Sequence, residues 1–321
     1  MAEASNPDQS DSFDADFKDD FNQGMLRMLS EGSSNDVRII LSDGEIMANK
    51  DVLAAQCLYF AANFRFKEQT QNDLDHIEIT ECSKEVMERI IKYLFTGSIK
   101  FKDLGLLQLL ELLNQVRKML LKGDLQDIIR SYIRDELKNV VIAYYENLKK
   151  LNLSIHSKHM QTLCIDFVRG LEYADRFVID GDVKWSIITG FLMMLPKISR
   201  DKEAISAFST LPFHLVEELF SEFKKTKIKI RTRTNNSSKA TLSSCNSAQF
   251  KCLLAWFNQN KDVCQEDKKE ILATIDLDFL PAADLFQLVK PSGLFPDDEV
   301  DKRIVECLRE RDELKKNLAA N

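Results

Sequence analysis

Residues 36–64 read DVRIILSDGEIMANKDVLAAQCLYFAANF, and the reading of the fold turns on them. Val37, Ile39 and Leu41 alternate with Arg38 and Ile40, the period of a strand with one face turned to a core. Asp43-Gly44 follows, a hairpin signal because both residues tolerate positive φ, and Ile46 and Ala48 belong to a return strand. From Lys50 the period lengthens: Val52, Leu53, Ala55, Cys57, Tyr59 and Phe60 supply the apolar surface of a helix. Strand, tight turn, strand and helix in immediate succession predict a small mixed α+β unit.

Outward from that stretch the pattern continues. Upstream, Phe17, Phe21, Met25, Leu26 and Leu29 recur every three to four positions and predict an amphipathic helix over 13–29, stopped at Gly32. Residues 1–12, rich in Ser, Asp and Asn, are expected to be disordered. Downstream, NFRFKEQTQ (63–71) reads as a polar loop that holds Phe64 and Phe66 among charged and amide side chains. HIEIT (76–80) is a short strand, a helix runs from a Ser83 N-cap to Thr96-Gly97, and SIKF (98–101) is a further small strand. After Leu104 nearly everything reads as helix. Leucine-rich 104–121 and LQDIIRSYIRDEL lead into periodic segments at 139–150, 158–174, 183–195, 202–223, 247–259, 267–275 and 280–289. One piece differs: Ile228, Ile230, Thr232 and Thr234 alternate with Lys229, Arg231 and Arg233 before a turn cluster, a hairpin or loop insertion near 226–246. A charged helix closes the chain over 297–321, with Val300, Ile304, Leu308 and Leu314 at helical spacing.

Bulk composition narrows the function classes. The 321 residues are enough for two ordinary domains, and 44% hydrophobic with 30% charged residues is a globular balance. A net charge of -7 argues against general nucleic-acid binding, which needs a basic face. No apolar run approaches the roughly 18 residues of a spanning helix, and the acidic N-terminus is not a secretory signal. Seven cysteines without a CxxC read as reduced thiols of a cytoplasmic or nuclear protein. His156, His159 and Cys164 are too loosely spaced to be assigned as zinc ligands, so no metal is expected. GxSxG, a phosphate-cradling glycine loop and HExxH are all absent, and the four histidines form no constellation. Intrinsic catalysis and a cofactor are therefore not expected.

The first third resembles the BTB (POZ) domain. The resemblance is carried by the stretch quoted above, by IEIT, and by RIIKYLFTGSIKF. Ala48-Asn49-Lys50-Asp51-Val52-Leu53-Ala54, Tyr59-Phe60 and Phe95-Thr96-Gly97 stand where the family has Ala-His-Lys-x-Val-Leu-Ala, Tyr-Phe and Tyr-Thr-Gly. Asn49, Cys57 and Phe95 depart from the usual His, Ser and Tyr. The remainder resembles a BACK domain, on AFSTLPFHLVEELF, FKCLLAWFNQN and DLFQLVKPSGLF. The link between the first two of these is longer than the family's and lacks its acid. The expected architecture is an α+β BTB/POZ domain over 13–135 followed by an all-α BACK-like helical domain over 136–296. No Kelch repeat or zinc finger follows.

The resemblance implies partners and sites. BTB domains dimerise through the helix before the first strand, so Phe17, Phe21, Met25 and Leu26 are expected at a homodimer interface; the alternative is that this helix covers its own core. Asp36 and Lys50 stand where the family has a charged-pocket pair, lining a partner groove or fixing dimer geometry. Phe66-Lys67-Glu68 fits, in type and position, the hydrophobic-x-Glu motif by which BTB adaptors recruit the third cullin. Phe66 would fill an apolar cleft, worth on the order of 2–3 kcal/mol, and Glu68 would fix orientation. Ile128, Ile129, Tyr132 and Tyr145 are candidates for a second contact surface. The basic run Lys224–Arg233 reads as a solvated face or as a site for an acidic partner, and the last helix as solvated or as a substrate-binding tail. The expected function is a dimeric adaptor that brings an unknown protein substrate to a cullin-RING E3 ubiquitin ligase. The alternative is a scaffold or transcription-linked interaction protein that binds no cullin.

Overall fold

The structure is a computed structural model of the whole chain; it describes residues 22–32, 34–70, 76–121, 123–149, 158–231 and 237–319. Expectations for residues 1–12, and for Phe17 and Phe21, lie outside the described residues. The chain divides into two compact units, Met1–Ile133 and Arg134–Asn321.

The first unit is built on a three-stranded sheet of order β2-β1-β3, with β1 at Val37–Leu41, β2 at Gly44–Ala48 and β3 at His76–Ile79. β1 pairs antiparallel with β2, Ile39 opposite Ile46, and parallel with β3, Ile39 opposite Ile77. Val37, Ile39 and Leu41 are buried while Arg38 is exposed, as the period of two requires. A helix α1 covers 22–31, and α2 (Lys50–Gln56) and α3 (Leu58–Thr70) follow the hairpin. α4 (Lys84–Thr96) buries Val86, Met87, Ile90, Ile91 and Leu94, one apolar stripe, and stops at Gly97 with φ 68. α5 (Leu106–Lys118) is buried over most of its circumference. α6 spans Gly123–Lys149 without a break, although its second half was expected as a separate segment.

Three local expectations fail here, each for a readable reason. The single helix expected from Lys50 is two, because Cys57 is extended (φ -141, ψ 118); it is buried, and its thiol donates to the Met119 carbonyl at 3.6 Å. Residues 63–70 are not a loop but the end of α3. No Gly or Pro interrupts 58–70, and Phe60 and Phe64, one turn apart, stack inside with centroids 6.4 Å apart. SIKF is not a strand. The Arg89 guanidinium takes the Lys100 carbonyl at 2.9 Å, and Phe101 turns onto Tyr132 with centroids 5.0 Å apart.

The second unit is helical throughout its described residues apart from turns: α7 (Lys158–Arg176), α8 (Gly181–Ile198), α9 (Lys202–Ser209), α10 (Phe213–Arg231), α11 (Ser237–Gln259), α12 (Gln265–Leu272), a short segment around 277–292 and a last helix, Asp297–Ala319. Its core is aromatic. Phe191 stacks on Phe208 at 5.8 Å, Phe208 meets Phe220 edge-on, and Trp256 donates its indole N–H to the Leu211 carbonyl at 2.8 Å. The 202–223 segment is split at Leu211-Pro212, where α10 must begin. Of the hairpin or loop insertion expected near 226–246, the described residues are helical: α10 runs to Arg231 and 237–246 belong to α11, while 232–236 lie outside the described residues. A helix already nucleated on Leu215, Val216, Leu219, Phe220 and Phe223 extends at little cost, and that outweighs the local Ile/Lys alternation. No helix among the described residues is long and apolar enough to cross a membrane.

Burial sorts the thiols. Cys164 and Cys252 are buried, and burial pushes both up to about 12. Cys82 rises further, through burial first and the Glu111 charge second. Cys264 is exposed. Native labelling with a maleimide at pH 8 should therefore modify Cys264 fast, and Cys82, Cys164 and Cys252 only once denaturant is added; mass spectrometry of timed digests reads the order.

Candidate functional site

The site is organised where α2 begins and α3 ends. Asn49 caps α2: its Oδ1 accepts the Val52 N–H at 2.9 Å and its Nδ2 donates to the Ser34 carbonyl at 2.8 Å. A departure from the family's usual His at this position is thus a sound capping choice. Asn49→Ala should cost about 1 kcal/mol, measured as a lowered urea midpoint.

Asp36 and Lys50 come together differently from the expected side-chain pair. The exposed Asp36 carboxylate accepts the Lys50 backbone N–H at 2.7 Å, so it serves the α2 N-terminus. The Lys50 ammonium reaches Glu68 Oε1 at 2.8 Å and lies 5.3 Å from the centre of the Phe64 ring. The reason is geometric: extension of α3 through Thr70 delivers Glu68 to the Lys50 head, whereas the first free N–H groups of α2 are nearer to Asp36. The pair is partly exposed, so its own contribution is of the order of 0–1 kcal/mol.

α3 sorts its aromatics by face. Phe60 and Phe64 are buried, while Phe66 is 63% exposed. The helix end is tied down: Lys67 donates to the His76 carbonyl, and Thr70 donates its hydroxyl to the Phe66 carbonyl at 2.9 Å. Phe66 and Glu68 therefore stand on an ordered turn rather than a loose loop. A large exposed ring on a fixed helix end, with a carboxylate two residues on, is a surface that a partner can grip without ordering it first.

The other sequence candidates are distributed unevenly. Ile128 is 53% exposed, but Ile129 is fully buried and cannot be a contact, a correction that follows from α6 turning it inward. Tyr132 is half-buried against Phe101, and the Tyr145 side chain lies outside the described residues. Met25 is half-buried and Leu26 is 40% exposed. Leu26 borders a cleft of about 460 Å³ between α1, β2 and α4, with Leu29, Ile46, Met47 and Ile91 in its lining. Part of α1 thus covers its own unit, and Leu26 and Met47 remain open. His156 and the side chain of His159 are outside the described residues, and no metal-sized cluster of ligands occurs among the described ones. Of the basic run, only the side chains of Lys224 and Lys225 are described; Lys225 pairs with Glu222 at 2.5 Å.

Among the exposed apolar residues that the sequence analysis does not single out, two stand together. Leu58 and Leu120 are 73% and 72% exposed, and each adjoins a residue of the Cys57–Met119 contact. Leu120 also has φ 52, left-handed backbone that a leucine seldom adopts.

The first unit is thus a sheet whose central strand pairs antiparallel with its hairpin partner and parallel with a later strand, with helices around it. Residues 25–137 match the BTB/POZ domain family, and this segment is a BTB/POZ domain. Similar solved structures include the BTB domain of human gigaxonin, 20% identical over 41% of this chain and 97% of that one, with a TM-score of 0.28. Another is the BTB domain of zebrafish PATZ1, 21% identical over 41% of this chain and 99% of that one, with a TM-score of 0.30. No curated protein matches the chain.

Proposed function

We propose that this protein is a BTB-BACK adaptor: a homodimer whose BTB domain binds the third cullin of a RING E3 ligase while the helical unit presents a protein substrate. A BTB domain supports the coarser reading, an adaptor that works through protein interactions. The observation that carries the finer one is Phe66, exposed on the tied-down end of α3 with Glu68 two residues on. In this reading the bond chemistry belongs to the recruited machinery, and the protein acts in the cytoplasm or nucleus without cofactor or metal. The helical unit from about residue 136 is assigned a BACK-like role, and the α1 face with Met25, Leu26 and the preceding Phe17 and Phe21 the dimer contact. The test is titration of the purified full-length protein with the N-terminal domain of the third cullin. Saturable binding supports the proposal, and no binding removes the cullin reading.

One observation favours the second reading, a BTB scaffold or transcription-linked interaction protein that binds no cullin. Glu68 is already engaged by Lys50, so its carboxylate must be released or shared before a partner uses it. A failed cullin titration with intact dimer formation would select this alternative.

A further inference from the structure

The second unit holds a small polar cleft of about 350 Å³ beside the C-terminal end of α8, lined by Ser199, Arg200, Ser243, Ser244, Ser247 and Lys251, with Asp284 at its edge. We propose that this cleft binds a phosphate monoester, independently of the cullin reading.

The cleft is built by two elements and closed by a third. Ser243, Ser244, Ser247 and Lys251 recur at the spacing of one face of α11. Arg200 stands in the turn that ends α8, where Pro196 and Ser199 form the adjacent wall. Neither the Arg200 guanidinium nor the Lys251 ammonium is in an ion pair with any described residue. The hydroxyls of Ser243 and Ser244 likewise make no hydrogen bond among the described residues. Two uncommitted cations and two uncommitted hydroxyl donors facing one small cleft match a tetrahedral dianion with several acceptor oxygens. The remaining polar groups are committed: Ser199 donates to the Pro196 carbonyl at 3.1 Å, and Ser247 donates to Asp284. Asp284 opposes an anion, yet its acceptor capacity is partly taken by Ser247, and the balance in the cleft remains two cations to one carboxylate.

A second observation points to the same place. Asp284 immediately precedes a π-helical turn, Leu285–Val289. Such turns are rare and occur frequently at functional sites, because the extra residue re-aims what stands beside it. Here the residues just before it, Pro281 and Asp284, line the cleft. The volume suits one phosphoryl group with its first linking atoms, and either a phosphorylated side chain of a protein or a small phosphorylated metabolite supplies that chemistry.

The test is calorimetric titration of the full-length protein with inorganic phosphate, O-phosphoserine and a phosphoserine-containing peptide, each against sodium chloride of equal ionic strength. Saturable phosphate binding is expected, weakened at least about tenfold in Arg200→Gln/Lys251→Gln through loss of charge-assisted hydrogen bonds. Asp284→Asn keeps an acceptor for Ser247 and removes the opposing charge, so it should bind phosphate about threefold or more tightly. Ser243→Ala/Ser244→Ala provides a variant with the charges intact and should weaken binding while leaving the melting temperature unchanged. A peptide that binds more tightly than phosphate identifies a protein segment as the source; equal affinity identifies a small anion. Heat no greater than the chloride control, or equal phosphate affinity in the wild type and Arg200→Gln/Lys251→Gln, would overturn the proposal.

Discussion

Phe66→Ala is expected to weaken capture of the third cullin by on the order of 50-fold, while Glu68→Ala costs less than tenfold. The two differ because their free states differ. Phe66 is largely in water and loses nothing when truncated, so the whole burial term, about 2–3 kcal/mol for an aromatic, is missing from the complex. Glu68 enters any complex from an existing contact with Lys50 at 2.8 Å. What it gains from a partner is the difference between two similar interactions, and for a partly exposed pair that difference is of the order of 1 kcal/mol or less. Folding should hardly notice Phe66→Ala, with a change within about 0.5 kcal/mol because no buried contact is removed. Biolayer interferometry on the wild type and both single variants, alongside urea unfolding, separates these effects. If the wild type binds and Phe66→Ala binds equally, the cullin contact lies elsewhere on the BTB domain.

The largest expected change in stability is at Gly190. A β-carbon there would stand 2.4 Å from Cε1 and 2.8 Å from Cζ of the buried Phe167 ring. Helix propensity alone would favour Ala over Gly by about 1 kcal/mol. The clash works against it between α7 and α8, two helices that pack closely, with Ile187 and Phe191 buried on either side of the glycine. Overpacking of this kind costs about 1–3 kcal/mol and occasionally more, and a rigid buried ring places this site at the upper end. Gly190→Ala should therefore lower stability by about 2 kcal/mol net. Adding Phe167→Leu should recover part of that loss, because the two positions share one contact. Chemical denaturation of the four proteins in the cycle measures both terms, and a neutral or stabilising Gly190→Ala would show that the two helices can separate cheaply.

Much of the first unit was legible because its signals are local. The alternation at Val37, Ile39 and Leu41, the Asp43-Gly44 turn and the pair Ile77/Ile79 each predict a strand or turn, and the sheet contains all three. The features that were misread depend on distant partners. Cys57, extended between α2 and α3, meets Met119 through its thiol, and the Lys100 carbonyl accepts from Arg89 instead of from a neighbouring strand. The Ile/Lys alternation at 228–231 lost to a helix started at Phe213. Phe66 and Glu68 are candidates on sequence alone, but a loop over 63–70 gives no ground for matching Lys50 to Glu68; that contact follows from the extension of α3 to Thr70. The phosphate cleft left no motif at all: Arg200, the pair Ser243 and Lys251, and Asp284 come from three separate stretches of the chain, and only the fold brings the end of α8, α11 and the 281–284 segment to one hollow.

The parallel pairing of β1 with β3 has a kinetic side. Ile39 meets Ile77 only after the intervening chain, which includes β2, α2 and α3, has looped across and returned in the same direction. Such a non-local pairing must meet the entropy of closing that loop before its contacts reward it, which makes it intrinsically slower than the local β1–β2 hairpin. The exposed ring at the end of α3 therefore rides on the segment that carries the chain from the hairpin to β3, and Phe60 and Phe64 of the same helix, buried in the core, hold that segment against the first unit.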